Sequence, residues 1–308
     1  MNARPPEIPS PNVYLYGMIV YSTIHRLAGD YPEADGYGEI EETHIVPGGE
    51  TGNSALVLAR LGCRVKVGGP FLGAKTRDGV VSFLEGHHID CSGLHCDPDF
   101  DGVRDLVLVA AKSRTVFGTF GRYFRGPKRW LAPDEAAIAM AAIVGLDPFF
   151  GAESERVATC CVENNRPYVT IDCAPDSLLH RGAAATVVAN EYLRAHFPDS
   201  DAKALLRQYA SASRGLVIFT FGSREILYLR GNGEIRRLQP YAVPVKSTLG
   251  AGDTFRAGVI YGLLHGMDDA GVVKFAAATA AAVCQRFPFA LDPPGLEEIT
   301  GLIAGDGA

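Results

Sequence analysis

Nowhere in this 308-residue chain is there an apolar run long enough to cross a bilayer as a helix, which takes roughly 18 consecutive residues. The nearest, Ala276 to Cys284, is Ala-rich and broken by Thr279, so no membrane association is expected. Basic clusters are also missing. Lys+Arg 29 against Asp+Glu 35 leaves a net charge of −6, and a chain without a positive patch is a poor partner for nucleic acid. Cysteine is sparse and odd in number, seven residues without framework spacing, which excludes a disulfide scaffold and suits reduced thiols in a cytoplasm. There is no internal repeat, and the 35 Gly and 19 Pro are scattered, which excludes collagen-like or low-complexity architecture. The opening residues lack the apolar core of a secretory signal, so 1–12 is read as a Pro-rich leader. What is present, 47% hydrophobic and 21% charged residues, describes a globular chain, with one domain over 13–308 preferred to two equal ones.

Along that domain, short β-branched runs alternate with amphipathic helical stretches. Strands are expected at Val13 to Tyr21, Arg64 to Gly69, Tyr168 to Ile171, Thr186 to Ala189 and Leu216 to Thr220, and a helix over Pro133 to Val144. Strand–helix alternation from Tyr168 onward implies βαβ units and a mostly parallel sheet. Two segments interrupt the alternation: 40–46, and the hairpin-like pair 103–111 and 114–120. They are expected to form a small antiparallel lid.

Several motifs fail on inspection. Gly68 to Thr76 nearly spells a phosphate-binding loop, but Ala74 separates Gly73 from Lys75, and the signature needs them adjacent. A turn into a helix beginning near Thr76 is the better reading. Asp97, Asp99 and Asp101 open like a calcium loop, yet the twelfth position, where a bidentate Glu belongs, is Leu108. His87, His88, Cys91, His95 and Cys96 match no zinc spacing. Neither Gly-x-Ser-x-Gly nor Gly-x-Gly-x-x-Gly after a strand occurs, which argues against hydrolase and dinucleotide sites.

One motif survives. Val245 to Gly258 leads into a helix whose Phe255, Val259 and Leu263 repeat every four residues. Gly250, Ala251 and Gly252 then form its first turn, where unpaired amides and the positive dipole end suit an anion such as phosphate. Small residues let the anion approach. Asp253 follows them. An Asp at such a place is commonly only a cap. Beside an anion cradle, however, a carboxylate would repel phosphate unless it serves to take a proton from an attacking hydroxyl.

This stretch resembles the second signature of the PfkB/ribokinase family of carbohydrate kinases. The first signature is matched by Gly48-Gly49-Glu50-Thr51-Gly52-Asn53-Ser54-Ala55 and a helix ending at Leu61-Gly62. Within the family the chain is most similar to ketohexokinase and fructokinase members, through Thr248 to Phe255, Ser113-Arg114-Thr115 and Tyr31-Pro32. The resemblance implies an α/β, ribokinase-like fold with a mostly parallel central sheet flanked by helices, and a small β lid. It implies ATP and Mg²⁺ as cofactors and a small sugar or sugar-like substrate as partner. Carried over by position, Asp253 is the catalytic base, Gly250, Ala251 and Gly252 the anion hole, and Gly48, Gly49 and Asn53 sugar contacts. Arg114 reaches the transferred phosphate, although as a residue it also reads as a solvated strand position. Asn190, Thr220 and Gly222 belong to the nucleotide site. The small-residue helix around Ala276 to Ala281 packs beside adenine, or is simply a well-packed helix. Lid strands of this kind also suggest a homodimer formed through the lid.

Three family carboxylates are missing. The Asp expected five residues after Gly17 is Ser22, which offers neutral hydrogen bonding where a charge would accept two hydroxyls. Glu50 or Asp147 could replace it, and each is equally a plausible surface acid. The family's Asn-x-x-Glu, which helps hold Mg²⁺ through water, becomes Asn190-Glu191-Tyr192-Leu193, leaving Glu191 displaced by two positions. The Asp that opens the second signature is Ser247, preceded by Lys246, which should weaken any monovalent-cation site there. Three readings stand: a sugar kinase, a catalytically weak sugar- or nucleotide-binding homologue, and a nucleoside kinase.

Overall fold

The computed structural model describes residues 12–111 and 113–305. The expected leader therefore lies, apart from Asn12, outside the described residues, as does Lys112.

A nine-stranded sheet forms the centre. Across it the order is Arg236–Leu238, Ile226–Arg230, Leu216–Thr220, Ala185–Ala189, Tyr168–Ile171, Ile143–Leu146, Val13–Tyr16, Val65–Gly68 and Asp90–Gly93. Pairing is parallel throughout except at one edge, where Ile226–Arg230 runs antiparallel to both of its neighbours. The central strands are buried along their whole length, as strands covered by helices on both faces must be. Side chains alternate across the first strand. Val13 and Leu15 join the core packed with helices Glu50–Arg60, Ala251–Leu264 and Asp269–Cys284, while Tyr14 and Tyr16 join the core under Glu135–Met140 and Ala152–Glu163.

A second, four-stranded sheet has the order Ile40–Gly48, Val20–Leu27, Arg104–Val109, Arg114–Gly118. The lid segments expected at 40–46 and 103–120 are both here, and the latter is an antiparallel pair. Val20–Leu27 was not expected to belong. The single strand foreseen over Val13 to Tyr21 divides at Gly17, where an added Cβ would lie 1.9 Å from Asp147 Oδ2. There the chain turns: the Met18 amide donates to Asp147 at 2.7 Å, and the Met18 carbonyl accepts from the amides of Thr51 and Gly52. The strand that leaves is thus aimed out of the main sheet and becomes the second strand of the lid sheet.

The helix foreseen over Pro133 to Val144 stops at Met140, and Ile143–Leu146 is a strand paired to Val13–Tyr16. Long-range ladder bonds beside Val13 outweigh the local helical preference of the Ala-rich segment. The helix expected after Thr76 spans Arg77–Gly86.

Candidate active site

Two helices begin side by side at the carboxyl-terminal ends of the central strands, the usual place for a site in an open α/β sheet. Glu50–Arg60 is preceded by Gly49 at φ 82°, and Ala251–Leu264 by Gly250 at φ 78°. Both glycines hold left-handed conformations that a side chain would strain. A Cβ on Gly250 would also lie 2.4 Å from the Phe289 ring, whereas one on Gly252 would meet nothing within 4 Å. Gly250 is therefore required by its backbone and its neighbour, and Gly252 keeps open the space in front of the amides.

Asp253, in the first turn of the second helix, is joined to the first helix. Asn53 Nδ2 donates to Asp253 Oδ2 at 2.7 Å, and Ser54 Oγ donates to the Asp253 carbonyl at 2.9 Å. Burial pushes the Asp253 carboxyl above the usual range, while the Asn53 amide and the positive charge of Arg256 oppose that rise. Glu50 stands nearby; burial, then the charges of Asp253 and Asp147, raise it to about 8. A cleft of about 440 Å³ opens in front of these acids, between the helix starts and the lid sheet. Gly48, Gly49, Asn53, Gly250 and Asp253 line it, with Ser22 and Arg114 on its lid side. Arg114 reaches across to the late motif, its Nη1 donating to Thr248 Oγ1 at 3.0 Å.

Asp147 is not part of that lining. Its side chain is fully buried beneath the site, ion-paired to Arg256, and its other oxygen accepts from the Met18 amide and from Thr51 Oγ1 at 3.0 Å. The suggestion that it replaces the missing sugar-gripping acid is thereby corrected. Both of its oxygens are engaged by protein donors, and none of its surface faces the cleft. Arg256 itself went unnoticed in the sequence. Fully buried, it donates to Ser54 Oγ and to the Glu50 carbonyl, tying the two helix starts together.

A separate open groove lies farther along the strand ends, lined by Asn190, Glu191, Arg194, Phe221, Gly222 and Arg224. Asn190 and Glu191 start the helix Asn190–His196 directly after the strand Ala185–Ala189, and Thr220 ends the neighbouring strand Leu216–Thr220. The expected nucleotide residues Asn190 and Gly222 thus share one groove. Asp172, which the sequence reading passed over, sits between the groove and Asp253. It has φ 39°, an uncommon conformation for a residue other than Gly, and its Oδ1 accepts from the Ala189 amide at 2.8 Å. Burial raises it to about 6, that bond opposing. Its one sequence signal was an acid placed immediately after a buried strand.

No group of three His, Cys, Asp or Glu side chains that could hold a metal exists among the described residues. The carboxylates of Glu191, which lines the groove, and of Asp172 beside it are oxygen donors of the kind that suits Mg²⁺, which commonly keeps its waters.

The profile described as "pfkB family carbohydrate kinase" matches residues 12–291. The 5-dehydro-2-deoxygluconokinase of Bacillus subtilis (strain 168) is 34% identical over 91 residues, 30% of this chain and 28% of that protein. The corresponding protein of Listeria innocua is 36% identical over 72 residues, 23% of this chain and 22% of that one. The aligned part is thus under a third of these curated relatives' length. Among solved structures, Arabidopsis thaliana ribokinase complexed with ribose and ATP superposes with a TM-score of 0.78 at 16% identity, over 96% of this chain and 99% of that one. Xylella fastidiosa fructokinase with bound ATP gives 0.76 at 18%, over 97% and 100%. These likenesses establish the fold as ribokinase-like.

Proposed function

Because the chain belongs to the pfkB family of carbohydrate kinases, we propose that it transfers the γ-phosphoryl group of ATP to a hydroxyl of a small sugar or sugar-like substrate. The single observation that carries this reading is Asp253: a half-buried carboxylate, oriented by Asn53, at an open helix start and facing a cleft. In the proposed reaction Asp253 takes the proton of the acceptor hydroxyl as its oxygen attacks the γ-phosphorus. The bond to the β-phosphate oxygen breaks, and ADP leaves. The Gly250, Ala251 and Gly252 amides hold the transferred oxygens, and Arg114 approaches from the lid. Mg²⁺, when bound, neutralises charge on the phosphates; the chain's own residues position the reactants, which is most of the catalysis in such transfers. Asn190, Thr220 and Gly222 hold the nucleotide, and Glu191 meets the metal through water. Gly48, Gly49, Asn53 and Ser22 contact the acceptor.

Replacing Asp253 with Asn tests this. Turnover should fall by roughly 10² or more, as general-base loss typically does, with ATP affinity largely kept. Retained turnover overturns the assignment. The curated relatives are named for a gluconate derivative, a sugar acid, but they align with less than a third of this chain, so the acceptor is argued from this chain's own cleft. The absence of carboxylates at Ser22, Leu193 and Ser247 favours the second reading, a weakly active or inactive binder, which ligand-induced stabilisation without ATP turnover would support.

The single kinase domain over 13–308 would use the four-stranded sheet as its lid, excluding water that competes as acceptor. On that sheet Ile40, Ile45, Val116 and Phe117 are exposed. These side chains support a homodimer formed through the lid, which gel filtration checks. No described helix is long and apolar enough to cross a membrane. The free thiols fit a cytoplasmic enzyme.

A further inference from the structure

The lid sheet carries an acid that neither the motifs nor the family likeness assigns. Strand Val20–Leu27 runs parallel to Arg104–Val109, and the register sets Ser22 beside Asp105. Aligned residues of neighbouring strands project from the same face, and both side chains line the cleft that Asp253 faces. Asp105 Oδ1 is buried without any hydrogen-bond partner. Such atoms are rare in folded proteins, because a desolvated carboxylate oxygen without a donor is costly. Burial raises the Asp105 carboxyl, and the Ser22 hydroxyl only partly offsets that rise. The fold thus keeps, at its own expense in stability, an unpaired acceptor on a side chain that lines the cleft.

Charge in the same cleft restricts what Asp105 accepts from. Glu50, Asp105 and Asp253 are the acids among its described lining residues, of which Glu50, raised to about 8, adds no charge at neutral pH, and Arg114 and Arg286 are the cations. Arg286 is already held by Glu298, by Asp292 and by the Ala282 carbonyl. Arg114 lies against Thr248, at the phosphate end. No unengaged cation faces the acceptor end, so a second carboxylate brought there would meet like charge at low dielectric.

We infer that Asp105 is an acceptor-binding residue, supplying from the adjacent strand the carboxylate that Ser22 lacks, and that the site takes an uncharged polyhydroxylated acceptor in preference to a sugar acid. Its unpaired oxygen accepts from acceptor hydroxyls, a charge-assisted bond that a neutral side chain cannot match. This rests on the kinase reading for its turnover and not for its binding, and the test separates the two.

Wild type, D105N and D105A are compared on D-ribose, D-fructose and myo-inositol against D-gluconate and D-glucuronate, by coupled ADP release and by thermal shift with each acceptor alone. In wild type the best neutral acceptor should exceed either acid at least 10-fold in kcat/KM. D105N should raise the KM of that acceptor at least 10-fold while the KM of ATP stays within threefold, and should narrow the preference over acids. The unliganded variants should melt at the wild-type temperature or above it, since an unsatisfied charge has been removed. An acceptor KM within twofold of wild type in D105N, or a wild type that prefers the acids, overturns the inference. If a neutral acceptor stabilises wild type but not D105A and no ATP is consumed, the kinase reading fails and the role of Asp105 stands. If no neutral acceptor stabilises wild type or is turned over by it, the role of Asp105 falls.

Discussion

Substituting Glu50 with Gln should make the protein more stable, and increasingly so as the pH is raised. Glu50 opens a helix, a place where the dipole ordinarily favours a carboxylate. Here burial outweighs the dipole, and the nearby charges of Asp253 and Asp147 add to it, so the carboxyl loses its proton only near pH 8. The unfolded chain titrates the same group near 4.5. Between those values the native state binds the extra proton, so native stability falls as pH rises through the window. Each pH unit is worth about 1.4 kcal/mol, which sets a ceiling of about 5 kcal/mol over the window. Because Glu50 retains some contact with solvent in the cleft, screening reduces the expected gain to about 2–3 kcal/mol. Gln is neutral at every pH. E50Q and wild type should therefore melt together near pH 4.5, diverge up to pH 8 and run parallel above it. For a chain of this size the gap amounts to about 4–6 °C in Tm. Paired thermal melts at half-unit steps from pH 4.5 to 9 measure it. A gap that stays within about 1 °C, or that opens in favour of wild type, refutes the argument that Glu50 is held protonated.

Removing the Asn53 amide in N53A takes away the donor that favours the Asp253 carboxylate. The acid limb of kcat/KM should then move up by about one pH unit; a limb that stays or moves down counts against Asp253 as the base. Breaking the buried ion pair with R256M alone should cost about 3–5 kcal/mol in denaturant unfolding, because Asp147 keeps an uncompensated charge. The double variant D147N/R256M should recover at least half of that loss, and equal losses in both would show that charge is not the cause. With Ser247 and Lys246 at the mouth of the late motif, initial rates should differ by less than about twofold between K⁺ and Na⁺. Strong activation by K⁺ would contradict that expectation.

What the sequence made legible was local. Gly250 to Asp253 and Gly49 to Asn53 are contiguous and each starts a helix; the residues themselves drew attention to the first, and the family resemblance to the second. The strand runs at 168–171 and 216–220 are rich in β-branched and aromatic residues and could be read directly. Partners supplied by other elements could not be read. Asp147 looked like a free acid until Arg256, 109 positions later, proved to occupy it. Asp105 gave no signal, because its meaning comes from the register that sets it beside Ser22. The bend at Gly17 was hidden for the same reason: Val13 to Tyr21 is strand-forming on both sides of Gly17, and the long-range contacts of Asp147 and Thr51 decide where it leaves the sheet.

The bonds linking Asn53 and Ser54 to Asp253 and Arg256 span about two hundred positions of chain, and this fixes the order in which a newly made molecule becomes whole. A ribosome that has released only the first two hundred residues has made most strands of the large sheet and none of the helices Ala251–Leu264 and Asp269–Cys284 that cover one of its faces. Until they emerge, that face stays open to water and to other nascent chains, and Asp147 awaits its counter-charge. The last quarter of the polypeptide therefore delivers the seal on the interior and the carboxylate proposed as proton acceptor in the same step, and a product cut short before it lacks both.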